Sequence, residues 1–229
     1  MFSFCTDPSV LEQAQWFACY LTTATHMAFY RAFGVVILLL AVTAPAALAM
    51  GMLGALALRS RLAPVNMIGR GYVNLVRGVP DIVFFLFVPI ALGQGIEWVM
   101  HHINCPDWDQ PIRQGNDFVV CREAKVPPVG ASAWVRNVYA FSMAVIAFAL
   151  VFGAFVPNTL YGAMQAVPRA QVETAEAYGM TRGQAFRRIV LPQMWVYALP
   201  GLSNIWQILI KATPLLFLLG IQDVVYWAR

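Results

Sequence analysis

Few residues in this 229-residue chain could make or break bonds, and their spacing limits what they can do. The four cysteines, Cys5, Cys19, Cys105 and Cys121, include no CxxC pair, and no cysteine–histidine spacing suits zinc. Of the three histidines, His26, His101 and His102, the last two are adjacent. Neighbours on a helix point about 100° apart, which makes them a poor chelate. No metal site is expected. No paired carboxylates inside an apolar run, no HExxH and no serine–histidine constellation points to an enzyme. With Lys125 and Lys211 as its only lysines, the chain has no G-x-x-x-x-G-K-[ST] phosphate loop. What stands out is Lys211 itself, in a long apolar stretch with Asn204 and Gln207. These three sit three and four residues apart and share one helical face. A charged lysine at mid-bilayer costs about 2.5–3.5 kcal/mol, so this face must meet water, another chain or the bundle interior.

The elements around these groups are read from composition. Hydrophobic residues make up 60% of the chain and charged ones 11%, with a mean hydropathy of +0.65. A soluble domain is nearer half apolar and a quarter charged. The net charge of +4 is too dilute and too segregated for a nucleic-acid-binding module. The expected class is an all-α, polytopic integral membrane protein with a single domain over 1–229. Residues 32–58 carry no charge and exceed the roughly 20 residues needed to span a bilayer. They are too long for a cleaved signal and lack a basic flank. Pro45 and Gly51 should kink this span or mark packing points. A second span starts at Ile82, passes Glu97 and is kinked at Pro89; a third covers 138–156; a fourth runs from Met194 to Ile221. Residues 11–30 read as an interfacial helix or as a lead into the first span.

Arginine placement sets the orientation. Arg59, Arg61, Arg70 and Arg77 follow the first span with no acid before Asp81, and Arg169, Arg182, Arg187 and Arg188 follow the third. The loop over 101–134 mixes Arg113, Arg122 and Lys125 with Asp107, Asp109, Asp117 and Glu123. The first and third connections should be cytoplasmic; the amino terminus, the 101–134 loop and the end near Arg229 should face outward. On the outer side of a membrane thiols can oxidise, so Cys105 and Cys121 either form a disulfide, the pairing expected here, or stay free.

The connection over 166–192 is the most informative segment. Residues 171–178 read as a helix with Glu173 and Glu176 near its start. Gly179 breaks it, Thr181 caps a second helix over 183–190, and Pro192 should stop that helix before the fourth span. A rigid helix–break–helix between spans is a surface suited to another protein.

This segment resembles the EAA loop of ATP-binding-cassette importer membrane subunits, in Glu173-Thr174-Ala175, Gly179, Ile189, Leu191 and Pro192. Thr174 replaces the usual alanine. Arg77-Gly78-Val79-Pro80-Asp81 and the run from Ala198 to Thr213 resemble the polar amino acid branch, nearest to histidine, lysine–arginine–ornithine and opine permease subunits. The likeness extends from about residue 65 to the carboxyl end, with the outward loop inserted.

The resemblance implies a type I importer fold of about four to five transmembrane helices in the bacterial inner membrane. It implies that the EAA loop is a coupling helix docked on a separate ATPase, with Glu173 and Ala175 facing that partner, and that Arg77, Gly78 and Pro80 form an elbow near it. ATP and magnesium would be bound by the ATPase, leaving this chain without a cofactor. A second permease chain and an outward-side binding protein complete the implied assembly. The substrate would be a polar, most simply a basic, amino acid or a related compound. Asn158 and Tyr161 stand where related permeases carry an acid and an arginine, which weakens a basic substrate for this subunit. Asn158, Asn204, Gln207 and Lys211 are the candidate pore or subunit-interface residues, with helix-to-helix bonding the alternative. Related subunits continue past 222–225 into one more span. The competing reading is a degenerate, non-transporting subunit that serves assembly or regulation.

Overall fold

The computed structural model describes residue 5, residues 12–115 and 117–219, and residue 221; the expectations for 222–229 lie outside these. Among the described residues eight α-helices succeed one another: α1 (Gln13–Leu21), α2 (Ala24–Arg59), α3 (Ala63–Gly78), α4 (Asp81–Asn104), α5 (Ala133–Ala166), α6 (Arg169–Ala177), α7 (Arg182–Ala185) and α8 (Leu191–Ala212). A 3-10 stretch over Thr213–Leu219 continues from α8. The helices α2, α4 and α5 are long and apolar enough to cross a membrane. The 22 residues of α8 would reach about 33 Å at 1.5 Å per residue, but its polar groups dilute its hydropathy.

The first span begins at Ala24, earlier than the uncharged run suggested, because Arg31 and His26 are carried on an unbroken helix. Residues 11–30 therefore divide. α1 is a separate short helix, Thr22 and Thr23 break the chain, and the remainder opens α2. Cys5 and Cys19 form a disulfide that ties residue 5 to α1, a pairing the spacing of cysteines did not suggest.

The most extensive helix pair is α2 with α5. Lipid is as apolar as a leucine side chain, so membrane helices gain little from hydrophobicity between them and depend on close packing. Small residues supply it. The open side of Gly51 is filled by Val156, and a Cβ placed on Gly54 would lie 2.6 Å from Pro157 Cγ. In return, a Cβ on Gly153 would lie 3.0 Å from Met50 Cβ. Gly51 is thus a packing point, one of the two roles expected of it. α8 joins on the same principle, with Gly201 seated against Thr159 of α5. α4 is held by Phe85, fully buried, whose ring stacks on Phe148 at 4.5 Å and lies 6.3 Å from Phe152.

The first connection is itself a helix. α3 turns back along α2, where Asn66 Nδ2 donates to the Leu58 carbonyl at 2.6 Å, and Tyr72 Oη donates to the Leu150 carbonyl of α5 at 2.5 Å. The loop after α4 is pinned rather than loose. Cys105 and Cys121 form the expected disulfide. Strands β1 (Arg113–Gln114) and β2 (Asp117–Phe118) pair antiparallel, Arg113 opposite Phe118. Glu97, the acid inside the second apolar stretch, accepts from the Val126 amide at 3.2 Å and pairs with Lys125 at 3.5 Å, so it anchors the loop to α4.

Gly54→Leu should test the α2–α5 contact. It should lower the stability of the purified chain by about 1–3 kcal/mol, the usual cost of overpacking. Thermal unfolding in detergent reads this. An unchanged midpoint would mean that the helices can part there without loss.

Candidate functional site

The loop between α5 and α8 owes its shape to local chemistry. α6 ends in a Schellman turn. The Gly179 amide donates to the Glu176 carbonyl at 2.9 Å and the Met180 amide to the Ala175 carbonyl at 3.0 Å. Gly179 has φ +82°, a region that costs a side-chain-bearing residue about 1–2 kcal/mol. Thr181 then starts α7 with a full capping box. Its hydroxyl accepts from the Gln184 amide at 3.4 Å, and its own amide donates to Gln184 Oε1 at 2.9 Å.

Beyond α7 the winding does not stop. Phe186–Val190 form a π turn whose last link is the Leu191 amide donating to the Phe186 carbonyl, and α8 follows at once. The stop expected at Pro192 is therefore corrected. A proline lacks an amide hydrogen, and its ring clashes with the carbonyl four residues back only where α-helical winding holds it close. The wider π turn precedes it, so Pro192 is carried in the first turn of α8. Helical winding thus runs from Arg182 to Ala212, and Ile189, Leu191 and Pro192 lie on the rod itself. The side-chain amide of Gln193 also donates to Gln171, clipping α6 to α8.

Glu173 and Thr174 are exposed, but Ala175 is 4% exposed and faces the chain's own interior. This corrects its expected outward position. It lies beneath the Schellman turn, where a small residue lets α6 close on the π turn. The residue missed from sequence is Tyr178, which is 84% exposed at the apex beside Gly179. A large aromatic directly before a turn glycine was the available signal.

The loop roofs a cleft of about 830 Å³ over the ends of α2 and α5. Arg59, Arg61, Arg169 and Arg182 line it with Glu173 and Glu176. The Arg59 guanidinium lies 4.8 Å from the Phe186 ring centre, and Arg182 approaches Glu176 at 3.9 Å. The elbow of Arg77, Gly78 and Pro80 is farther along the bundle, with the Arg77 guanidinium 5.5 Å from the Phe155 ring centre. Arg77 does not line this cleft.

Asn204, Gln207 and Lys211 are all exposed on one face of α8, opposite the side that buries Met194, Ala198 and Leu209. Asn158 is not part of that face. It lines a smaller cleft of about 280 Å³ with Arg70, Asn74 and Tyr161, between α3 and α5. At the other end, folding brings His101 to Cys105 and Cys121, with ligand atoms within 4.8 Å of one another. The spacing argument missed this meeting. The two sulfurs are joined, and buried His101 accepts the Cys121 amide through Nδ1 at 3.1 Å. Its ring therefore acts as a packed hydrogen-bond acceptor inside the loop.

Three apolar spans, a fourth helix with an outward polar stripe and a capped loop between α5 and α8 define an all-α polytopic membrane protein. The chain belongs to the family described as binding-protein-dependent transport system inner membrane component, which matches residues 47–229. It is 35% identical over 179 residues to the histidine/lysine/arginine/ornithine transport system permease protein HisQ of Salmonella typhimurium, a match covering 78% of this chain and 66% of that protein. To the arginine ABC transporter permease protein ArtQ of Escherichia coli it is 32% identical over 177 residues, covering 77% and 68%. To the octopine transport system permease protein OccQ of Agrobacterium tumefaciens it is 31% identical over 183 residues, covering 80% and 65%. The aligned part thus spans about two thirds of these relatives. The crystal structure of an amino acid ABC transporter with histidines shares the fold, with a TM-score of 0.63 at 21% identity, covering 96% of this chain and 81% of that one. The relatives agree with the resemblance drawn from the sequence, to permease subunits of the polar amino acid branch rather than to enzymes.

Gly179→Ala should loosen the turn without unfolding the bundle, because its left-handed φ costs alanine about 1–2 kcal/mol. Hydrogen exchange at the Met180 amide should speed up while exchange in α5 stays unchanged. Unchanged protection at Met180 would show that the turn tolerates a side chain.

Proposed function

We propose that this chain is the membrane permease subunit of an ATP-driven importer for polar amino acids, and that the loop roofed by α6 and α7 couples it to a separate ATPase. One observation carries this reading most directly. In a member of this transport family, the loop after α5 is a rigid knob continuous with a span. A push on Tyr178 or Glu173 would pass along α8 rather than be absorbed by a hinge. ATP and magnesium belong to the ATPase. A second permease chain, the same or different, completes the pathway, and a binding protein delivers the substrate from outside.

The sidedness follows the arginines. The 166–192 loop and the connection after α2, with the elbow at its end, face the cytoplasm, and the 101–134 loop with the amino terminus faces outward. The names of the relatives favour histidine, arginine, lysine, ornithine or an opine as cargo. Asn158 offers no charge to a cationic side chain, so this subunit contributes little to selecting a basic group. The exposed stripe of Asn204, Gln207 and Lys211 faces the second permease chain or the water-filled route between the two.

Uptake into proteoliposomes with the complete assembly tests the reading. Glu173→Ala and Tyr178→Ala should leave insertion intact and weaken substrate-stimulated ATPase activity and uptake by about tenfold, within the range of typical coupling energies. Wild-type-like uptake in both variants would refute the coupling role. Wild-type assemblies that never import would favour a subunit of assembly or regulation.

Lys211→Met separates pathway from scaffold. Transport should change while the complex still assembles on gel filtration. Loss of assembly instead would make Lys211 an interface residue.

A further inference from the structure

The cleft under the 166–192 loop carries more positive charge than its own acids balance. Four arginines line it against Glu173 and Glu176, and Glu176 is already approached by Arg182 at 3.9 Å. Among the described residues, Arg59, Arg61 and Arg169 have no carboxylate within ion-pair distance. The Arg59 guanidinium rests by the face of Phe186, which leaves its N–H edges free to donate. No acid occurs between residues 59 and 80 to balance this group from the elbow side.

The chain leads from Arg61 directly into α3, which offers a surface of a different kind. α3 buries Gly69, Val73 and Val76 against the chain and turns Met67 and Ile68 outward, 73% and 72% exposed, with Leu62 and Leu75 also exposed. Arg70, Asn74 and Arg77 occupy a separate arc of the same helix. Unneutralised guanidinium groups at the end of a span, leading along the chain into a helix with an exposed apolar arc, match an amphiphile with an anionic head better than a free anion. Guanidinium forks suit phosphate oxygens, and basic groups beside a span are drawn to anionic lipid.

We propose that Arg59, Arg61 and Arg169 hold the phosphate of an anionic phospholipid of the cytoplasmic leaflet, with its acyl chains along the exposed side of α3. The proposal rests on the sidedness given above. Its role would be to brace the roof of the cleft, since Glu173 and Arg169 of α6 share the same lining.

Native mass spectrometry tests it on the full chain, purified with its partners from membranes containing phosphatidylglycerol. Wild-type protein should retain phosphatidylglycerol through a detergent wash. Each arginine removed should weaken retention about fivefold, so Arg61→Gln/Arg169→Gln should lose most of the lipid. Arg113→Gln/Arg122→Gln, in the loop at the other end, should behave as wild type. Equal retention by all three proteins overturns the proposal. Displacement of the lipid by millimolar inorganic phosphate also overturns it, because the site then takes a free phosphate. Retention seen only after the ATPase is stripped away does so too, because the ATPase is then the occupant. Should the double variant not fold, Arg61→Gln alone, at an exposed side chain, gives the same reading at smaller size. Failed uptake with lipid retention intact would sink the importer reading and leave this one standing.

Discussion

Everything in this protein hangs on the close approach of α2 and α5. In a bilayer the apolar surface of a helix gains little by leaving lipid for another helix, so stability depends on contacts that lipid cannot match. Gly51 and Gly54 on α2 meet Val156 and Pro157 on α5, and Gly153 returns the contact against Met50. With these two helices fixed, the others have a wall to pack on. α8 seats Gly201 on Thr159, α4 inserts Phe85 between rings of α5, and α3 reaches α5 through Tyr72.

The loop after α5 shows how local hydrogen bonding and long-range rigidity combine. The Schellman turn and the capping box satisfy backbone groups that two short helices would otherwise leave open. The π turn then removes the break that a proline would impose. The outcome is a hydrogen-bonded knob with exposed Tyr178 beside its turn and helical winding that runs on into α8.

Polar groups fall into distinct roles. Glu97 and His101 look costly within or beside an apolar span, yet both are spent on the outward loop: Glu97 on Lys125 and the Val126 amide, His101 on the Cys121 amide. Among the described residues, Asn204, Gln207 and Lys211 have no such use, and all three are exposed. The arginines around the loop cleft are a third group, exposed at the end of the bundle where charge is cheap to keep.

The sequence by itself marked three spans, α2, α4 and α5, because long runs so poor in charge suit the apolar interior of a membrane, while the fourth expected span is α8, whose polar groups keep it outside that set. It also determined the turn at Gly179 and the cap at Thr181, which depend on residues close along the chain, while the structure decided for the Cys105–Cys121 disulfide over two free thiols. The family was legible for the same reason, its motifs being contiguous. Tertiary structure decided whatever needs a neighbour from elsewhere. Ala175 turned inward because α6 closes on the π turn, and Pro192 was tolerated because the winding before it widened. His101 met a disulfide that lies up to 20 residues away in sequence. The glycine contacts of α2 and the cleft beneath the loop exist only between helices, and helix pairing depends on shape across space that the order of residues along the chain does not display.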